Sequence, residues 1–363
     1  MIIKKAKILL NNFQFQTADI RFDEQVLEIG GELPVAGGEE SIDAEGKLLI
    51  PGLIDVHTHG AVGCEAVKSD CDLGKWREYL LRNGVTTFFP TLVTAAPEEI
   101  FNALNNLKDA DGINLEGPFL SVEKKGAHDV NKITEVDLKL LERMKHQITI
   151  TTIAPEVGKN LEKIKAVADM GIKVSIGHSA ADYETCRAAF AAGATQVTHI
   201  FNAMPPLHHR TPGLVGAAVE NDNVFCEVIA DGFHLHPALV RMLCRALGAD
   251  RMVLISDALS ATGMADGEYQ SGGLRVNIRD GQARLEDGTI AGSTSHLMTV
   301  LKRAVSFGIP MSDAVKMATL TPARAVGLDS DRGSIQVGKR ADLVLMEADF
   351  GIKQVFRKGK PVL

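Results

Sequence analysis

The chain has 363 residues, 45% of them hydrophobic, enough for one large domain with a substantial buried core and a smaller one beside it. Its net charge of −7 is modest and no basic run stands out, which argues against nucleic acid as a partner. The start, Met1-Ile2-Ile3-Lys4-Lys5, lacks the apolar region of a signal peptide, and no apolar stretch reaches the ~18 residues needed to span a bilayer, so no membrane partner is expected. Five scattered cysteines (Cys64, Cys71, Cys186, Cys226, Cys244) form no CxxC pair and read as reduced thiols of a cytoplasmic protein.

Residues 1–51 hold short alternating runs, 7–10 and 25–29, broken by Gly30-Gly31 and Gly37-Gly38. Eight β-type runs then follow, at 53–59, 86–92, 113–116, 148–154, 173–178, 196–201, 224–230 and 252–257. Helical patterns fill most gaps. Residues 161–170 and 183–192 have apolar positions at three- and four-residue spacing, with Gly171 or Gly193 just past the end; 237–247 opens on a proline. Strands and helices alternating at this length imply a parallel sheet with right-handed crossovers, and eight strands close it into a barrel. Beyond Asp257, runs at 274–278 and 282–285 flank Arg279-Asp280-Gly281, a hairpin signal. Residues 334–363 are again β-rich, at 341–346 and 353–357. Neither end alone has the apolar surface for a core, so the two are expected to pair into one small β domain.

The chemistry-bearing residues sit where these runs stop. His57 and His59 lie two apart, so a strand points both imidazoles the same way. Alone, that pair is a weak signal. Glu116, His178, His199 and Asp257 each directly follow another β-type run. Metal-competent side chains at the C-terminal ends of several parallel strands are the arrangement of a (β/α)8 barrel active site. Asp257 reads as chemistry there, although a helix N-cap role is also open. His128, in a glycine-containing loop, and Arg210, in the loop 205–211, would on their own be surface residues. Gly292 lets backbone come close to a ligand or simply makes a turn.

Several segments carry a resemblance: PGLIDVHTHG (51–60), LEGPFLSVEKKGAHD (115–129), IGHSAAD (176–182), THIFNAMPPLHHRTPG (198–213), ADGFH (230–234), ISDALSATG (255–263) and IAGSTSHLM (290–298), closed by MATLTPARAVGL (317–328) and GSIQVGKRADLVL (333–345). Over nearly its whole length the chain resembles the amidohydrolase superfamily, and within it the N-acetylglucosamine-6-phosphate deacetylases. The resemblance implies an α/β fold: a (β/α)8 TIM-like barrel over 52–333 and a small β-sandwich domain made of 1–51 and 334–363. It implies a homodimer, and a sugar phosphate as small-molecule substrate. Glu116, His178 and His199 are expected to bind the main divalent metal, zinc with iron as the other option. His128 is expected to meet the substrate carbonyl and Asp257 to move the proton. Arg210, with a planar fork suited to two phosphate oxygens, is expected to grip the phosphate. Ala127, Asn202, Ala203, Asp231, His234, Ala291 and Gly292 complete the expected substrate contacts. Some members lack the HxH histidines and hold one metal; both are present here, so a second metal bridged by Glu116 is expected, giving one or two per subunit. Position 116 is no lysine, which points away from branches bridged by a carboxylated lysine. Three competing readings are a deacetylase of the galactosamine or mannosamine 6-phosphate epimer, another superfamily hydrolase, such as a cyclic amidase or a nucleobase deaminase, and a barrel scaffold without activity.

Overall fold

The computed structural model describes residues 1–362, and the counts that follow are of these residues. The alternation read from the sequence is the alternation adopted. Eight parallel strands stand in chain order in one sheet: β1 (Leu53–Thr58), β2 (Val85–Leu92), β3 (Asn114–Leu115), β4 (Ile150–Ile153), β5 (Lys173–Ile176), β6 (Ala194–Val197), β7 (Phe225–Val228) and β8 (Met252–Leu254). Both β1 and β2 are buried at every position, as strands covered on both faces must be. The barrel closes between β8 and β1 at the strands' C-terminal ends. There the Asp257 N–H donates to the His57 carbonyl at 2.9 Å and the His59 N–H to the Ala258 carbonyl at 2.7 Å. The closing seam thus runs through the candidate site.

Helices form the outer ring. Pro237–Leu247 shows why one forms: proline occupies its first turn, Gly248 follows it, and Val240, Leu243 and Leu247 make a buried stripe at three- and four-residue spacing. Among the described residues no helix is long and apolar enough to cross a membrane.

The two chain ends meet in one mixed eight-stranded sheet. Leu343–Met346 runs antiparallel to Leu48–Pro51, with Leu343 opposite Pro51, and Leu48–Pro51 in turn pairs parallel with Ile2–Leu9. Ile3, Ile8, Ile20, Phe22, Leu345 and Phe356 belong to an apolar cluster of this sheet. The hairpin expected after Asp257 forms from Leu274–Arg279 and Gln282–Arg284. It extends to a four-stranded sheet whose apolar face (Val276, Ile278, Ala283) packs on Leu259 and Ala291 beside the barrel mouth.

One reading is corrected. Cys64 and Cys71 are joined as a disulfide, with Cα atoms 4.8 Å apart, so only Cys186, Cys226 and Cys244 are free thiols. Cys64 is held by a short antiparallel pairing of Gly60–Ala61 with Cys64–Glu65, and turns at Glu65–Lys68 and Lys68–Cys71 carry Cys71 back to it.

Candidate active site and metal centre

Three of the strand-end residues leave their strands abruptly. His178, His199 and Asp257 have φ of 45°, 28° and 49°. A left-handed backbone at a non-glycine residue costs about 1–3 kcal/mol and persists where its surroundings impose it. Strands β5, β6 and β8 stop before these residues, at Ile176, Val197 and Leu254, short of the runs read from the sequence. The reversal swings each side chain inward over the barrel axis.

There the side chains converge. Glu116 Oε1 lies 2.8 Å from His199 Nε2 and 3.1 Å from His178 Nε2, and those two nitrogens are 3.1 Å apart. On the other side, His59 Nε2 is 3.2 Å from Glu116 Oε2, 3.1 Å from Asp257 Oδ1 and 3.3 Å from His57 Nε2. Glu116 therefore faces both groups: Oε1 meets His178 and His199 and lies 3.5 Å from His57 Nε2, while Oε2 meets His59. All are buried; His57 is wholly inaccessible and Glu116 2% exposed.

The hydrogen bonds behind the rings assign their tautomers. His178 Nδ1 donates to the Lys124 carbonyl at 2.8 Å, and His59 Nδ1 to the Thr91 carbonyl at 3.0 Å. A carbonyl can only accept, so Nδ1 keeps its proton in each ring and Nε2 is the nitrogen left to take a metal or, without one, a second proton. His57 Nδ1 faces the Glu227 carboxylate at 2.9 Å, with the same consequence. Lone pairs and carboxylate oxygens crowded together repel unless a cation lies among them. A metal bound tetrahedrally at about 2.0–2.2 Å separates its ligands by roughly 3.3–3.6 Å; the spacings here run from 2.8 to 3.3 Å, so the ligand atoms already converge and need to part only slightly to admit an ion. The residues thus fit one divalent metal held by Glu116, His178 and His199, and a second held by His57 and His59 with Glu116 between.

His128 is different. Its Nδ1 accepts from the Thr94 N–H at 3.3 Å and lies 2.8 Å from the Thr94 hydroxyl. The proton then belongs on Nε2, which lies 3.4 Å from Glu116 Oε2. Although its ligand atom lies within 4.8 Å of those of Glu116 and His178, His128 is built as a hydrogen-bond donor into the site.

The electrostatics of the protein alone are those of a site demanding positive charge. Burial works against a charged His59, yet hydrogen bonds to Asp257 and Glu116 push it up to about 9. Burial would raise Asp257, but the hydrogen bond from His59 and the charges of His57 and His59 bring it down to about 2. Burial and the neighbouring His128 push His178 down to about 4, favouring the neutral ligand form.

Above this floor opens a cavity of about 390 Å³, large enough for a small ligand. Ala127, His128, Asn202, Ala203, His234, Ala291 and Gly292, all expected from the sequence, line it. Gly292 has φ of 72°, and a Cβ there would sit 3.0 Å from the Asp257 carbonyl, so glycine lets the wall close against the strand-end aspartate. Two expected contacts are not brought in. Asp231 does not line the cavity; its carboxylate accepts from His234 Nδ1 at 2.8 Å and from the backbone N–H groups of Phe233 and His234. It acts on the cavity only by orienting His234. Arg210 is exposed on its loop and does not line the cavity of its own chain. Lys124, which does line it, was missed, as were Thr94 behind His128 and Glu227 behind His57. A lone glutamate in the otherwise apolar run 224–230 was the available signal for the last.

The amidohydrolase family model matches residues 48–362. The chain belongs to the amidohydrolase family. Among its relatives, an N-acetylglucosamine-6-phosphate deacetylase of Vibrio furnissii is 39% identical over 330 residues, 86% of this chain and 82% of that one. An N-acetylgalactosamine-6-phosphate deacetylase of Escherichia coli O157:H7 is 33% identical over 375 residues, 99% of this chain and 98% of that one. Among solved structures, a mutant N-acetyl-D-glucosamine-6-phosphate deacetylase of Mycobacterium smegmatis in complex with N-acetyl-D-glucosamine-6-phosphate matches with TM-score 0.93. It is 34% identical, and the match covers 100% of this chain and 99% of that one. The N-acetylglucosamine-6-phosphate deacetylase of Thermotoga maritima matches with TM-score 0.92 at 33% identity, covering 100% and 99%. As an amidohydrolase the chain is a hydrolase acting on an amide, which removes the inactive-scaffold reading.

Proposed function

We propose that the protein hydrolyses the acetamide of N-acetylglucosamine 6-phosphate, giving glucosamine 6-phosphate and acetate in amino-sugar catabolism. The observation that carries this reading is the opposed tautomers at one cavity floor. His59 and His178 present lone pairs to a metal, while His128 presents an N–H to a substrate carbonyl oxygen. When bound, a divalent metal acts as a Lewis acid and lowers the pKa of water toward ~7. Asp257 accepts the proton of the attacking water as it adds to the acetyl carbon. A carboxylate held near 2 is a weak base but, once protonated, a ready acid, so it passes the proton on to the departing amine. His128 donates to the oxygen where negative charge develops.

The imidazole and carboxylate donors suit zinc and accept iron; we read the metal as zinc, one or two per subunit. His234, held by Asp231, and Lys124 supply donors at the cavity wall for the sugar phosphate. We also read the protein as a cytoplasmic homodimer. Exposed Leu207 and Arg210 share a loop suited to a subunit interface, from which Arg210 would reach a phosphate in a neighbouring copy. Cys186, Cys226 and Cys244 are free, as thiols are in a reducing compartment, while the Cys64–Cys71 bridge speaks against it. The division into a barrel, 52–333, and a small β domain, 1–51 with 334–363, is supported by the ladder between Leu48–Pro51 and Leu343–Met346.

A second reading is the galactosamine epimer, favoured by the E. coli relative that matches nearly end to end. Acetate release from N-acetylglucosamine 6-phosphate by purified protein tests the proposal. It should disappear with a chelator and return with zinc. Metal-replete protein that releases no acetate from this sugar or its epimers would end it.

A further inference from the structure

Glu227 is the buried charge that the site does not otherwise use. It lies in β7, 1% exposed, beneath the floor of the cavity. Its Oε2 accepts from His57 Nδ1 at 2.9 Å and from the His199 backbone N–H at 3.3 Å. Its Oε1 has no hydrogen-bond partner among the described residues, and no lysine or arginine forms an ion pair with it. Stability does not explain such a group. Taking a carboxylate out of water is costly, and a buried ion pair can often be replaced by apolar side chains with no loss.

We propose that Glu227 is a positioning residue for the second metal: by accepting from Nδ1 it fixes the His57 ring and keeps the Nε2 lone pair facing the His57–His59 half-site. The inference rests on the two-metal reading. Three features support it. His57 is wholly buried, so bulk solvent does not reach its Nδ1 and the carboxylate is the acceptor it meets. His59 and His178 have backbone carbonyls for this purpose, at Thr91 and Lys124, whereas His57 has only Glu227. The same oxygen also reaches the backbone of His199, whose left-handed conformation aims the main-site imidazole. Glu227 therefore ties the two half-sites together from below. Partners behind a metal-bound histidine typically contribute 10–100-fold to metal affinity.

The test is zinc binding by the full-length protein at buffered free zinc, read by elemental analysis. Wild type should bind two zinc ions per chain. Glu227→Leu should weaken one of them 10–100-fold and leave the other unchanged. Glu227→Gln, whose amide oxygen still accepts from Nδ1, should stay within a few-fold of wild type. Two unchanged affinities in Glu227→Leu overturn the proposal and leave the two-metal reading standing. Glu227→Gln as weak as Glu227→Leu also overturns it, because charge and not tautomer is then what matters. Wild type that saturates at one zinc overturns the two-metal reading and the proposal with it. If Glu227→Leu does not fold, nitrogen NMR of His57 in zinc-loaded wild type decides: a proton on Nδ1 with zinc on Nε2 supports the proposal, and the reverse arrangement overturns it.

Discussion

Replacing Asp257 by asparagine removes the proposed proton carrier with little change of shape. Oδ1 lies 3.1 Å from His59 Nε2 and 3.6 Å from His57 Nε2, and an amide fits the same space. Glu116, His178 and His199 do not depend on it, so the main metal should stay. Burial would raise Asp257, but the hydrogen bond from His59 and the charges of His57 and His59 hold it well below the usual carboxylate range, so at pH 7 the wild-type carboxylate is ionised and able to accept. An amide at that place neither accepts nor returns a proton. General acid–base groups contribute about 10²–10⁴ in rate, so kcat should fall by that factor, roughly 2.7–5.4 kcal/mol of transition-state stabilisation. KM should change little. The assay is acetate release under saturating substrate, with metal content and thermal unfolding measured on the same preparation. Asp257→Asn with full metal, a normal Tm and kcat within tenfold of wild type would remove Asp257 from the mechanism.

Changing His57 and His59 together to alanine should lower zinc content by about one per chain while the Glu116, His178 and His199 set keeps the other; unchanged content on elemental analysis refutes the second site. Arg210→Ala should cut kcat/KM on a 6-phosphate substrate about ten- to a hundredfold, from roughly 1.5–3 kcal/mol for a charge-assisted bond, and leave the unphosphorylated sugar nearly unchanged. Equal losses on both substrates would show Arg210 supporting its loop instead. His59, raised to about 9 in the protein alone, gives a pH prediction. Its folded value lies above the ordinary ~6.5, so its contribution to stability is full below that pH and is lost as pH rises through about 9. Chelator-treated protein should therefore lose Tm across this window, while zinc affinity rises over it, because metal must displace the proton. A flat Tm between pH 6.5 and 9 contradicts the assignment.

The convergence of His57, His59, Glu116, His178 and His199 could be read from the sequence because barrel topology delivers strand ends to one place. Five residues separated by up to 142 positions, His57 to His199, needed only to follow a β-type run to be grouped. What stayed hidden depends on distances the sequence does not carry. The left-handed turns at His178, His199 and Asp257 are imposed by packing at the barrel mouth and cannot be foreseen from residue preference, and the strands end before them. Glu227 finds its partner 170 residues away. Cys64 and Cys71 are seven apart with no motif, and successive turns, with the Lys68 N–H on the Glu65 carbonyl and the Cys71 N–H on the Lys68 carbonyl, bring them together. Arg210 follows the ligand His199 by eleven positions, yet its loop runs outward and leaves it exposed.

The central claim is the substrate, and the direct measurement is kcat/KM for acetate release from the 6-phosphates of N-acetylglucosamine, N-acetylgalactosamine and N-acetylmannosamine, each beside its unphosphorylated sugar. The account predicts the highest value for N-acetylglucosamine 6-phosphate and a loss of tenfold or more without the phosphate. A higher value for the galactosamine epimer would move the assignment to that sugar. Equal values with and without the phosphate would contradict the account.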